Sequence, residues 1–217
     1  MGFNSTYGWD FYHKLKGAFQ GQSLSALDSA WASENTQCQA APKGEQGRVM
    51  RFVTNHDETS WDDVPIKVFG STEASLAAFV IAQQPISIPL IYNGQEVGQP
   101  IKQNIFEYSP IDFTANPKVN GFYSVCGRIF NQEPAYFGDR FDRLQSTDPD
   151  CWWSVRGTGK EAILVVVNIR NKTLKTKVPA DYRSRSFVNL LDQSTTYLKE
   201  ELELEPYGIR LYKAFKP

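Results

Sequence analysis

Residues 51–63 read RFVTNHDETSWDD. Phe52 and Val53 belong to a strand-like run, RVMRFVTN, that stops abruptly in Asn55, His56, Asp57 and Glu58. A buried strand that ends in polar, mostly titratable side chains puts chemistry where strand meets loop. In parallel α/β units, the loops after the C-terminal ends of the strands carry catalytic and binding groups. Further on, SIPLIYNG ends in the same way, with Gln95 and Glu96 following Asn93 and Gly94. If the two runs are neighbouring strands of one parallel sheet, His56, Asp57, Gln95 and Glu96 share a rim.

The flanks fit such units. GFNSTY is a short strand ahead of Gly8, and WDFYHKLKGAF sets Phe11, Tyr12, Leu15 and Phe19 at helical spacing. SLSALDSAWASEN begins at a capping Ser and carries Leu24, Leu27 and Trp31 on one stripe. The polar, Gly- and Pro-containing stretch TQCQAAPKGEQG is a loop into the strand. Between the two strand ends, STEASLAAFVIAQQ predicts a helix capped by Ser71, with Leu76, Phe79 and Val80 on its apolar face and Pro85 as its stop. A long loop, QPIKQNIFEYSPIDFTANP, precedes a last helix over VNGFYSVCGRIFNQE.

Past residue 136 the texture changes to short β-branched or alternating runs between turn signals, among them CWWSVRG, AILVVVNI and TTYLKEELELE. This is the pattern of a small antiparallel β-sandwich. The expected architecture is therefore α/β plus all-β, with about three βα units over residues 1–135 and a sandwich over 136–217. Trp152 and Trp153, adjacent in a strand, should face opposite sides. One belongs to a core, and the other is either packing or a platform for a sugar ring.

Lys+Arg 23 against Asp+Glu 24 gives a formal charge of −1, a balance that would draw in neither nucleic acid nor an anionic membrane. No apolar run reaches the ~20 residues of a membrane span. MGFNST fits a loose myristoylation pattern, and Asn4 and Asn171 head glycosylation triplets; all are short enough to arise by chance, so the compartment stays open. Cys38, Cys126 and Cys151 lie far apart and form no metal pair or disulfide framework.

Together these segments resemble the α-amylase family of glycoside hydrolases. FVTNHDETSW is similar to the family's motif at the end of the seventh barrel strand, and IPLIYNGQEVG to its eighth strand and following loop. FNSTYGWDFYHKLKGAF resembles the sixth strand and helix, and the β-rich tail the C-terminal sandwich domain. The resemblance implies the last part of a (β/α)8 barrel that cleaves α-glucosidic bonds with retention. It makes Asp57 the third acidic residue, stabilising the transition state, and gives His56 a hydrogen bond to the sugar. Asn55, Gln95 and Glu96 are further substrate-binding candidates. An oxocarbenium-like transition state does gain from a fixed carboxylate and from hydroxyl contacts that strengthen as charge develops.

One departure stands out. A retaining glycosidase sets its nucleophile and general acid about 5 Å apart. The family carries them on its fourth and fifth strands, and nothing before residue 48 has their pattern. The expectation is an α-amylase-related C-terminal portion, acting on α-glucans or maltooligosaccharides only with those groups supplied, and inactive alone. The alternative is a non-catalytic carbohydrate-binding or scaffold protein. A third reading is a site shared across a dimer, with Glu58 or Glu96 in a new role. Three barrel strands cannot close and leave unpaired edges, which favours a homo-oligomer or a complementing barrel half. No metal and no cofactor is assigned. His56–Asp57 is alternatively a structural pair at a strand end, and Gln95–Glu96 alternatively a brace for its own loop.

Overall fold

The computed structural model describes residues 5–39, 48–104 and 106–214, with the side chains of residues 38 and 39 left out. The Asn4 triplet, the Cys38 thiol and the expected loop over 40–47 thus lie outside the described residues. The chain divides into two units, residues 1–83 with 87–124, and residues 84–86 with 125–217.

The first unit holds a parallel sheet of β1 (Ser5–Tyr7), β2 (Arg48–Arg51) and β3 (Ser87–Pro89), in that order. Thr6 pairs with Val49, and Met50 with Ile88. Parallel neighbours need long crossovers. Here α1 (Trp9–Phe19) and α2 (Ser25–Gln39) make the first, and α3 (Glu58–Trp61), α4 (Pro65–Val68) and α5 (Thr72–Ala82) the second. In α1, Phe11, Tyr12 and Leu15 are buried as their spacing predicts, but Phe19 is only half-buried and Ala18 is buried in its stead. In α2 Leu27 and Ala30 are buried, as is Leu24 just ahead of it, with Trp31 only half-buried. That helix also continues through Thr36 to Gln39, residues expected to be loop.

Helix α5 is apolar on every side and is buried from Ala77 to Ala82, the mark of a central rather than a surface helix. Extended Ser71 caps it, its hydroxyl accepting from the Ala74 amide at 3.0 Å. Such a cap contributes about 1 kcal/mol. Both site-bearing strands are shorter than the sequence predicts, because the ladder between them runs out. Arg51 pairs with Pro89, which has no N–H, and the Leu90 amide to the Arg51 carbonyl closes the sequence of bonds at 3.0 Å. Phe52 to Asn55 leave the ladder yet stay buried. The single-turn helices α3 and α4, which the sequence did not announce, occupy the segment just beyond them.

Helix α6 (Pro117–Gln132) begins in the first unit and ends in the second. The second unit contains β4 (Phe141–Leu144), β5 (Cys151–Arg156), β6 (Ile163–Asn168), β7 (Leu174–Lys177), β8 (Arg185–Asn189), β9 (Thr195–Leu198), β10 (Glu201–Leu204) and β11 (Ile209–Ala214). Six form an antiparallel sheet, β4-β5-β6-β11-β8-β9, and β7 pairs with β10. One core joins the two sheets, with Trp153, Val155, Leu164 and Val166 from the larger and Leu174 and Leu204 from the smaller. TTYLKEELELE, a single run in the sequence, is cut at Lys199–Glu200, so that β9 and β10 belong to different sheets.

The tryptophans do face apart. Trp153 enters the shared core, whereas Trp152 stacks on Phe141 and lies under the Arg143 guanidinium at 4.2 Å. Both are buried, which removes the sugar-platform option. Cys126 and Cys151 are buried free thiols, and burial pushes Cys151 up to about 12. Among the described residues, no helix is long and apolar enough to cross a membrane.

Candidate functional site

The end of β2 is held from beneath by a buried ion pair. Arg51 donates to Glu34 of α2 at 2.6 Å, and the other Glu34 oxygen accepts the Phe11 amide of α1 at 3.0 Å. The Arg51 guanidinium lies 4.3 Å from the Phe11 ring centroid. Two helices and a strand are thereby locked by one carboxylate whose two oxygens are both occupied. The chain comes close here only because residue 8 is Gly. A Cβ on it would stand 2.9 Å from Val49 Cγ1 and 3.1 Å from the Glu34 carboxylate.

Above the pair, Phe52 fills an aromatic cluster with Tyr7, Trp9 and Tyr12, at centroid distances of 5.1 to 5.7 Å. Asn55 follows and is itself buried. Its Oδ1 accepts the amides of Asp57 and Glu58, each at 2.9 Å, and its carbonyl accepts from Thr59. An Asn that satisfies the free amides at a helix start acts as a cap. Asn55 thus sets the direction of α3 and with it the two residues between. His56 and Asp57 point outward, with side-chain exposures of 59% and 48%, and His56 Nε2 is 3.3 Å from Asp57 Oδ1.

On the other side of α3, Asp62 accepts from the Tyr12 hydroxyl at 3.0 Å and pairs with Lys16. Partial burial acts to raise the Asp62 pKa, but the bonds from Lys16 and Tyr12 outweigh it and hold the carboxyl below the usual range. Glu58, one turn earlier, is raised, first by desolvation and then by the Asp62 charge. Burial, then the same two carboxylates, push the Tyr12 phenol far above its ordinary value, so it stays a donor. Two neighbouring acids are in this way driven apart, one toward the protonated form and one toward the ionised form.

The end of β3 is built in the opposite sense. Gly94 and Gly98, both with positive φ, bracket a 3-10 turn over Gln95–Val97. Gln95 is buried; its Oε1 accepts the Tyr92 amide at 3.3 Å, and its Nε2 donates to the Tyr123 hydroxyl at 3.0 Å. Glu96 is half-buried, and its Oε2 has no hydrogen-bond partner among the described residues. Thr54, Thr59, Tyr92 and Gln95 contribute to the wall of a cavity of about 10 Å³, room for about one water. The structure thus brings the neighbours of the His–Asp pair to Gln95, while His56 and Asp57 themselves are not among the residues lining that cavity. Two residues not foreseen as site residues stand beside it, Trp61 at the end of α3 and Phe106 in the long loop, both almost fully exposed. Aromatic side chains in a loop otherwise rich in polar residues were the available signal.

No protein-family model and no curated protein matches this sequence. Solved structures do. The maltogenic α-amylase AmyB from Thermotoga neapolitana is similar with a TM-score of 0.78 at 18% identity, over 99% of this chain and 51% of that one. The α-amylase from Geobacillus thermoleovorans, solved with acarbose, gives 0.75 at 16% over 99% and 49%. AmyP in complex with maltotriose gives 0.73 at 14% over 99% and 51%. The fold is that of the C-terminal portion of an α-amylase. The chain spans about half the length of these structures. In this fold, the polar end of β2 holds a carboxylate and an imidazole together in solvent.

Proposed function

We propose that the chain is the C-terminal portion of an α-amylase-related retaining glycosidase acting on α-glucans. Residues 1–135 would supply the sixth to eighth strands of a (β/α)8 barrel, and residues 136–217 a β-sandwich domain. Asp57 is the carboxylate that stabilises the transition state, and His56 hydrogen-bonds the sugar bound against it. Asn55 aims these two residues from below, and Gln95 braces the neighbouring loop through Tyr92 and Tyr123. Glu96, half-buried on the neighbouring loop, is the remaining candidate for substrate contact.

The observation that carries this is the exposed His56–Asp57 pair, fixed by a buried Asn cap, on a fold shared with enzymes solved with maltotriose and acarbose. Fixed carboxylates and hydroxyl contacts favour an oxocarbenium-like state, but bond cleavage also needs a nucleophile and an acid about 5 Å apart. Glu58 and Asp62 do not fill those roles, because they are turned to Tyr12 and Lys16. The 217 residues alone should therefore bind maltooligosaccharides and not hydrolyse them. β1 and β3 each have a single sheet partner among the described residues, and those open edges suit a complementing barrel half or a second copy.

The test is hydrolysis of a chromogenic maltooligosaccharide by the chain over a range of concentrations, with maltotriose titrated calorimetrically in parallel. Maltotriose binding that Asp57→Asn weakens at least tenfold, with no turnover, is expected. Turnover that rises with protein concentration would move the catalytic site to an interface between copies. Absence of binding at tens of millimolar would end the assignment of Asp57 to sugar.

A further inference from the structure

Trp61 is 84% exposed and Phe106 89%, although large aromatic rings are normally covered. They come from segments distant in sequence, yet both line one open groove of about 430 Å³ with Ser60, Lys102, Gln103 and Asn104. The groove has a built frame. The Lys102 ammonium donates to the Asp62 carbonyl at 3.0 Å and to the Trp61 carbonyl at 3.5 Å, tying the long loop to the C-terminal end of α3. Asn104 Oδ1 accepts the Phe106 amide at 2.9 Å.

The chemistry of this lining narrows the occupant. A pyranose ring has an apolar C–H face and a rim of hydroxyls. Two aromatic rings flanked by a hydroxyl, two side-chain amides and an ammonium group offer a partner for each. The centre of a protein–protein contact, by contrast, is depleted in lysine. The volume lies in the range of small-ligand sites. Two of the groove's residues lie within one helical turn of the candidate site, the Asp57 carbonyl accepting the amides of Ser60 at 2.9 Å and Trp61 at 2.8 Å. A ligand seated at Asp57 and in the groove at once must extend beyond one helical turn, ~5.4 Å, which a single sugar ring barely covers and an oligosaccharide does.

We infer that Trp61 and Phe106 form an accessory subsite that takes a further unit of the α-linked oligosaccharide held at Asp57. This rests on the assignment of Asp57 to sugar binding and adds the dependence on chain length. The 217-residue chain and its Trp61→Ala and Phe106→Ala variants would be titrated with maltose, maltotriose and maltopentaose, and each protein sedimented in parallel. The wild type should gain affinity with chain length. Each variant should lose about tenfold for maltopentaose, the scale of one uncovered aromatic face, while changing less than twofold for maltose. Both rings lie in solvent, so unchanged thermal unfolding should accompany these losses.

A wild-type gain with length that both variants retain would overturn the subsite and leave Asp57 in place. No binding of any sugar by the wild type would instead remove the assignment on which it rests. Variants that bind every sugar normally but no longer self-associate would make the groove a contact between proteins, which also overturns the subsite.

Discussion

The ends of β2 and β3 look alike in sequence and are opposite in structure. TNHDE and YNGQE both close an apolar run with amides and acids. At the first, the amide goes inward and the charges outward: Asn55 is buried beneath α3, and His56 and Asp57 stand half in water. At the second, the amide is again buried, but it bonds the Tyr92 amide of its own strand end and a distant tyrosine, and the following acid is half-buried. One end is a presented surface and the other a brace. In each, a buried amide satisfies backbone or hydroxyl groups that would otherwise be left without partners. What differs is how openly the adjacent acid is presented, Asp57 being half exposed and Glu96 having one oxygen buried.

This contrast can be broken by substitution. The largest effect should come from below the presented end. Arg51→Met leaves Glu34 as a buried carboxylate without its countercharge, and breaking such a pair from one side costs about 3–5 kcal/mol. Denaturant unfolding should register that loss, and a change under 1 kcal/mol would show that the pair does not support the site. Gln95→Ala comes next. It strips the Tyr92 amide and the Tyr123 hydroxyl of a partner each, an expected loss of about 2 kcal/mol. Because Gln95 is a brace, sugar affinity of the folded protein should change little; a large loss of affinity at unchanged stability would make it a ligand contact instead.

The smallest effect concerns pH. The Glu58 pKa is raised in the folded state, so its contribution to stability is complete below the unfolded value near 4.5 and is lost as pH rises through the folded value. Asp62 works in the other direction. Its lowered pKa gives stability that is present above the unfolded value near 3.8 and lost as pH falls through the folded one. Glu58→Gln removes the first dependence and retains the second. The variant should therefore gain on the wild type as pH rises above about 4.5, the ordinary value for Glu. Urea midpoints measured from pH 3 to 8 that run parallel for the two proteins would show that folding does not raise the Glu58 pKa.

Much of the fold was legible. The buried positions of α1 and the Ser71 cap are local patterns, fixed by 3.6-residue spacing and by one side chain next to the helix start. The change of texture near residue 136 announced the β-rich part because alternation along a strand needs no distant information. Strand lengths were less legible, since the ladder ends where Pro89 meets Arg51, a pairing of residues far apart in the chain. The split of β9 from β10 was hidden for the same reason, as partner choice is not written into either strand.

Of the candidate site, the sequence marked the position of the polar strand ends but not their orientation. Nothing in TNHDE says that Asn55 turns in while Asp57 turns out, and nothing in YNGQE says that Gln95 reaches Tyr123. Trp61 and Phe106 were visible as letters, yet their sharing of a groove depends on Lys102 bridging to the end of α3. By itself the sequence determined the longer helices, though not the single turns α3 and α4, together with the order of strands in the first unit and the places where apolar runs give way to polar ends. The tertiary structure decided which of those polar groups are spent inside and which face a ligand. The physical reason is that helical spacing and capping are settled within a few residues. Burial, by contrast, is conferred by neighbours that only folding brings within reach.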